Sequence, residues 1–172
     1  MKNYMESYLV SCWLDMSSFN FKFRTSSNTL TFSIYQLCKS PKIAEELYKE
    51  VQSIEFENTE NIIETTMSLK YLDKFLREVQ RMYSVVGAVA RTTLKDINVC
   101  GYDLPKGTNV TCYLRACHMD PTNYPNPTEF NVDRWDNPQS AFFPFGDGPH
   151  NCIGQKMAVI ETKVFTCSCR LY

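Results

Sequence analysis

Apolar residues recur at helical spacing in several long segments of the chain. In SLKYLDKFLREVQRMYS, Leu72, Phe75, Leu76, Val79 and Met82 repeat every three or four positions, predicting a helix with one buried face. PKIAEELYKEVQSI places Ile43, Leu47, Val51 and Ile54 on one stripe with charges opposite. Ser40-Pro41 ahead of it supplies an N-cap and a proline at the first helical position. The preceding TSSNTLTFSIYQLC reads as a helix carrying Leu30, Phe32, Ile34 and Leu37. Towards the end, Ile153, Met157, Ile160 and Val164 predict a last helix burying that face. Ala88 to Thr92, Ile97 to Cys100 and Asn109 to Leu114 read as short strands, with GYDLPKG as turn chemistry between the last two. Asn58 to Ser68 reads as a polar connection. Pro121 to Pro138 reads as an extended meander that buries Tyr124, Phe130 and Trp135. Residues 1–24 show no clear periodicity and form an unassigned segment. The expected fold class is mainly α with a small β part.

Composition narrows this picture. The chain has 172 residues, 44% of them hydrophobic, and a net charge of −1, enough for one unit with a sizeable core. The near-neutral charge gives no reason to invoke nucleic acid. No segment reaches the roughly 18 uninterrupted apolar residues that span a bilayer. The opening MKNYMESYLVSCWLD is broken by Glu6 and Asp15 and lacks the shape of a signal peptide. Eight cysteines are many, yet their spacing is not that of a disulfide framework. Cys112, Cys117 with His118, His150 with Cys152, and Cys167 with Cys169 form a pool of zinc ligands, but without a C-x-x-C pair zinc is the weaker reading. Most of these thiols read as small core residues, and His118, in ACHMDPTNYP, as a packing or hydrogen-bonding residue.

Cys152 is different. FFPFGDGPHNCIG, from Phe142 to Gly154, carries it to the start of the last predicted helix. Gly146 and Gly148 permit a left-handed backbone and Pro149 stiffens the turn. At a helix N-terminus, unpaired N–H groups and the helix dipole favour an anionic sulfur, which is either a nucleophile or a ligand for a soft or borderline metal. Glu78 and Arg81, three apart in the strongest helix, are neighbours on one flank. Taken alone, that spacing is a surface ion pair worth a few tenths of a kcal/mol.

Phe145, Gly148, His150, Cys152 and Gly154 match the F-x-x-G-x-(R/H)-x-C-x-G loop of the cytochrome P-450 family, which the chain resembles. The resemblance implies that Cys152 is the axial thiolate ligand of a haem b iron. Phe145, Gly148 and Gly154 would shape its loop, and Arg91 and His150 would face the haem propionates. It also implies that Glu78 and Arg81 form the family's buried E-x-x-R pair, completed by Arg134 in NPTEFNVDRW. There Val132 and Trp135 depart from the family's proline and phenylalanine. The role implied for this triad is structural, holding the cysteine loop in place.

The resemblance covers about Thr25 to Phe165, and residues 25–172 are expected to be the C-terminal part of a P-450 domain. The implied reaction of the parent protein inserts one atom of O2 into an apolar substrate. NADPH would supply the electrons through a partner reductase or other electron donor. Membrane association would then depend on an N-terminal anchor missing here. Compartment and substrate are not implied.

Thr25 and Ser26 align with the T-(T/S) of a family pattern in which an acidic residue and the Thr kink the helix and help deliver protons. Arg24, however, stands where an acid is usual, and Phe21, Lys22 and Phe23 bring no glycine. A plain helix-start role for Thr25 stays open beside the catalytic one. Two alternatives follow: a haem-thiolate isomerase or peroxygenase, and a non-catalytic truncated product. The chain alone is expected not to be a competent monooxygenase.

Overall fold

The computed structural model describes residues 24–52, 62–137 and 141–168. Phe21, Lys22, Phe23, Ile54, Pro138 and Cys169 lie outside the described residues. The architecture is mainly helical with a small β part, as expected.

Helix α1 occupies residues 24–39, and Ser40 separates it from α2, Pro41–Gln52. The Ser40 carbonyl accepts from Ile43 and Ala44, so α2 starts at its proline. A third helix, α3 (Ile62–Met67), forms where a polar connection was expected. Its buried Thr66 returns its hydroxyl to the Ile62 carbonyl at 2.6 Å, and the helix packs on the last one. Six residues carry too little periodicity to announce a helix.

Helix α4, Lys70–Met82, is the centre of the core. Leu72, Phe75, Leu76 and Val79 are buried, with Leu47 of α2 and Leu37 of α1 in the same cluster. Its N-cap residue Leu69 has no side-chain oxygen to offer. Glu50 of α2 replaces the cap from outside, accepting from the Tyr71 and Leu72 amides at 2.8 and 2.9 Å. A carboxylate at that end also complements the helix dipole. At the other end, Tyr83 stacks on Phe32 of α1 at 4.5 Å and donates its hydroxyl to Gln36. The buried face of α1 is Thr29, Ser33, Gln36 and Leu37, and Phe32 and Ile34 stay partly exposed.

Two antiparallel ladders follow. Strand β1 (Val89–Thr92) pairs with β4 (Asn109–Cys112), and β2 (Ile97–Val99) with β3 (Tyr102–Leu104). Strand β3 lies within the stretch read as turn, because the reversal is made earlier, by Cys100 (φ 52) and Gly101 (φ 88). Two successive left-handed residues are what a tight two-residue hairpin needs. A short helix, α5 (Leu114–His118), then leads into the meander. There Tyr124 is fully buried, Phe130 packs on the core, and a 3-10 turn runs from Val132 to Asp136.

The last helix, α6 (Gln155–Ser168), buries a different face from the one expected. Thr162, Lys163, Thr166 and Cys167 point inward, while Ile153, Met157 and Phe165 are exposed. The threonines return their hydroxyls to the Ala158 and Thr162 carbonyls. Lys163, only 2% exposed, reaches Asp73 of α4 at 2.9 Å and the Met67 carbonyl of α3. Burial alone would raise the Asp73 carboxyl, but Lys163 and then Arg77 outweigh it and hold it below the usual carboxylate range.

This pairing locks α6 to α3 and α4. Asp73→Asn is expected to cost roughly 2 kcal/mol, less than a fully buried pair because Asp73 itself is partly exposed. Arg77→Gln is expected to cost under about 0.5 kcal/mol, as the loss of an exposed helical pair. Urea denaturation of the two variants beside the parent chain measures both.

Candidate functional site around Cys152

The loop ahead of α6 is built by its own backbone. The Phe143 carbonyl accepts from Gly146, Asp147 accepts from the Gly148 amide, and Gly148 accepts from Asn151. Gly146 and Gly148 both have φ 75, a left-handed conformation that strains any residue with a Cβ. A 3-10 turn from Gly148 to His150 follows, and Cys152 then donates its N–H to the Phe145 carbonyl at 2.9 Å. Its own carbonyl accepts from Gln155, the first residue of α6. Cys152 thus joins loop to helix, and its side chain is exposed. A Cβ on Gly154 would lie 3.9 Å from its sulfur, at ordinary contact distance. Arg91, on β1, extends Nη2 to the His150 carbonyl at 3.4 Å, which brings Arg91, His150 and Cys152 into one neighbourhood.

Behind the loop stands a fully buried carboxylate. Glu78 Oε1 accepts from Arg81 Nη2 at 2.8 Å, Arg134 Nε at 3.1 Å and the Asn131 amide at 3.0 Å. Its Oε2 accepts from Arg81 Nε at 2.9 Å and Trp135 Nε1 at 3.0 Å. The two arginines direct their remaining donors at backbone carbonyls of α5 and the meander. Arg81 reaches the His118, Pro127 and Glu129 carbonyls, and Arg134 those of Pro125, Asn126 and Glu129. The Tyr124 ring lies beneath both guanidiniums, 5.1 Å from Arg81 and 6.0 Å from Arg134. Burial is the largest influence on the Tyr124 phenol and pushes it up to about 12. Trp135 carries the cluster on to the cysteine loop, meeting Phe142 edge-on at 4.6 Å.

With that geometry established, resemblance to known proteins becomes decisive. Residues 23–169 match the family model described as Cytochrome P450. The chain belongs to the cytochrome P450 family. Cytochrome P450 3A16 of Mus musculus is 31% identical over 148 residues, covering 83% of this chain and 29% of the relative. Cytochrome P450 6a8 of Drosophila melanogaster is 35% identical over 152 residues, covering 83% of this chain and 30% of the relative. The crystal structure of the cytochrome P450DA heme domain superposes with a TM-score of 0.76 at 31% identity, over 85% of this chain and 34% of that one. The chain therefore spans about 30% of the length of these two curated P450 relatives.

The other P450-motif positions fall in two places. Glu78, Arg81 and Arg134 converge on the cluster just described. Thr25 lies in α1, its carbonyl accepting from Thr29, and neighbouring Ser26 donates to Glu161 of α6 at 3.3 Å. Sequence reasoning noted Trp135 as a departure without seeing its bond to Glu78. An indole in place of a phenyl ring adds one N–H donor, and that is the signal that could have revealed it. Nothing in the sequence pattern marked Lys163 or Asp73.

Two variants separate the roles within the cluster. Glu78→Gln leaves Arg81 buried without its counter-charge and is expected to cost roughly 3–5 kcal/mol. Trp135→Phe removes one hydrogen bond to a charged acceptor and is expected to cost about 1.5 kcal/mol. Equilibrium unfolding in guanidinium chloride, comparing midpoints at constant slope, checks both.

Proposed function

We propose that this chain is the haem-thiolate portion of a P450 monooxygenase that oxidises an apolar organic substrate. The observation that carries the reading is Cys152: an exposed cysteine held by a hydrogen-bonded, doubly left-handed loop at the start of a helix. Its surroundings suit a flat apolar group with acidic edges. Ile153, directly after Cys152, is completely exposed, and Met157, in the first turn of α6, is 49% exposed. Arg91 stands over the His150 carbonyl.

In this reading Cys152 holds the iron of haem b. Arg91 carries a permanent positive charge for a propionate. His150 offers a second, pH-dependent partner. Phe145 orients the ligand through its carbonyl, and Gly146 and Gly148 let the loop fold back without strain. Glu78, Arg81 and Arg134 keep the loop's support rigid. Haem, when bound, supplies O2 activation, with electrons from NADPH delivered by a reductase. Thr25 takes the proton-handling place.

A second reading, an isomerase or peroxygenase that needs no reductase, is favoured by Arg24, which occupies the usual place of the acid. Turnover of a hydroperoxide without NADPH would favour it, and strict dependence on NADPH and reductase would exclude it.

The test of the main reading is the absorption spectrum of the chain with haemin, reduced and exposed to carbon monoxide. A strongly red-shifted Soret band, lost in Cys152→Ala, is the expected result. Absence of that band would mean that this chain keeps the family's motifs without holding the cofactor, the function belonging to a longer parent, and an identical band in Cys152→Ala would refute Cys152 as the ligand.

A further inference from the structure

His118 closes α5, fully buried, at a point where three parts of the molecule meet. Its Nε2 lies 2.9 Å from the Phe143 amide, at the base of the cysteine loop. Its Nδ1 lies 2.9 Å from Ser84 Oγ, just beyond the end of α4. The ring packs on Phe142 at 5.6 Å, and the residue's own carbonyl accepts from Arg81 at 2.9 Å.

These contacts determine the proton's place. The Phe143 amide can only donate, so Nε2 must be unprotonated. Nδ1 then carries the hydrogen and donates to Ser84 Oγ. Ser84 in turn donates to the carbonyls of Gln80 and Arg81, each at 3.2 Å. A continuous chain of bonds therefore runs from the last turn of α4 through a neutral imidazole to the loop. The loop carries it on within itself, because Phe145 accepts from Cys152.

We propose that His118, as the neutral Nδ1–H tautomer, is a positioning residue that ties the cysteine loop to the end of α4 and thereby sets the placement of Cys152. Its consequence for the sulfur rests on the haem-thiolate reading, whereas the tautomer and the tie do not.

Protonation of Nε2 would break the tie, since an imidazolium accepts nothing. The groups facing the ring define how strongly that is resisted. α4 presents Arg81 and Ser84, and the loop presents the Phe142 ring and the Phe143 amide. The nearby Glu78 carboxylate is taken up by Arg81, Arg134, Trp135 and Asn131. Burial first, and the Arg81 charge second, lower the His118 imidazole to about 4. Its folded pKa lies below the unfolded value of about 6.5, so its contribution to stability is complete above that pH. The contribution falls as pH drops through the interval and is gone below about 4.

Nitrogen-15 NMR of the full chain labelled at histidine and phenylalanine tests the tie, because the chain has only two histidines and His150→Gln assigns the pair. His118 is expected to show a protonated Nδ1 and a bare Nε2 at neutral pH. The Phe143 amide signal should stay fixed near neutral pH and move as the pH falls towards about 4 in the parent chain. In His118→Gln, whose carbonyl can still accept from Phe143, it should lose that acid transition.

A protonated Nε2, or a His118 that titrates at the ordinary value, would overturn the proposal. In haem-loaded protein, His118→Phe is expected to lose the thiolate-type reduced carbon monoxide band at neutral pH while His118→Gln keeps it. Retention of that band in His118→Phe would overturn the consequence for Cys152. If no band forms even in the parent chain, the haem-thiolate reading fails and the NMR result alone decides the tie.

Discussion

The structure depends on one buried negative charge. Glu78 is fully enclosed and would be untenable there if any of its lone pairs were left to the protein interior. Five donors meet it, two from Arg81 and one each from Arg134, Trp135 and the Asn131 backbone. Each donor comes at a structural cost that the fold turns to use. Arg81 and Arg134 need acceptors for their outer nitrogens, and they take them from carbonyls of the meander, a stretch with few regular backbone partners of its own. The carboxylate therefore organises an irregular segment as firmly as a helix organises its own backbone.

That order is passed towards Cys152 by two routes. Trp135 holds the Glu78 carboxylate at its indole nitrogen and the Phe142 ring at its edge. His118 gives its carbonyl to Arg81 and its ring nitrogen to Phe143. The α6 side is held separately, through Lys163 and Asp73. The loop is thus anchored at its base and at its exit, while Cys152, Ile153 and Met157 are exposed among the described residues.

Much of this was legible in the sequence because it follows local rules. The stripe of α4 is strictly periodic, Pro41 marks the start of α2, and the loop glycines stand where the backbone turns left-handed. The convergence of Glu78 and Arg81 followed from helical spacing, but the arrival of Arg134 came only from family resemblance. What was missed depends on tertiary partners. The apolar stripe of α6 predicted the wrong buried face, because Lys163 finds an aspartate and a carbonyl inside and the threonines satisfy themselves on their own helix. Helices α3 and α5 are too short to show a period. Strand β3 was hidden because a cysteine, not an asparagine, leads its turn.

The central claim is that the Glu78 cluster rigidifies the cysteine loop as well as the meander. Amide hydrogen exchange of the full chain, resolved at Phe143, Cys152 and Leu47, addresses it most directly. In Arg134→Gln the Phe143 and Cys152 amides should exchange at least about tenfold faster, while Leu47, whose amide lies inside helix α2, keeps its protection. Unchanged protection at Phe143 and Cys152 would show that the loop stands on its own bonds and would contradict the account.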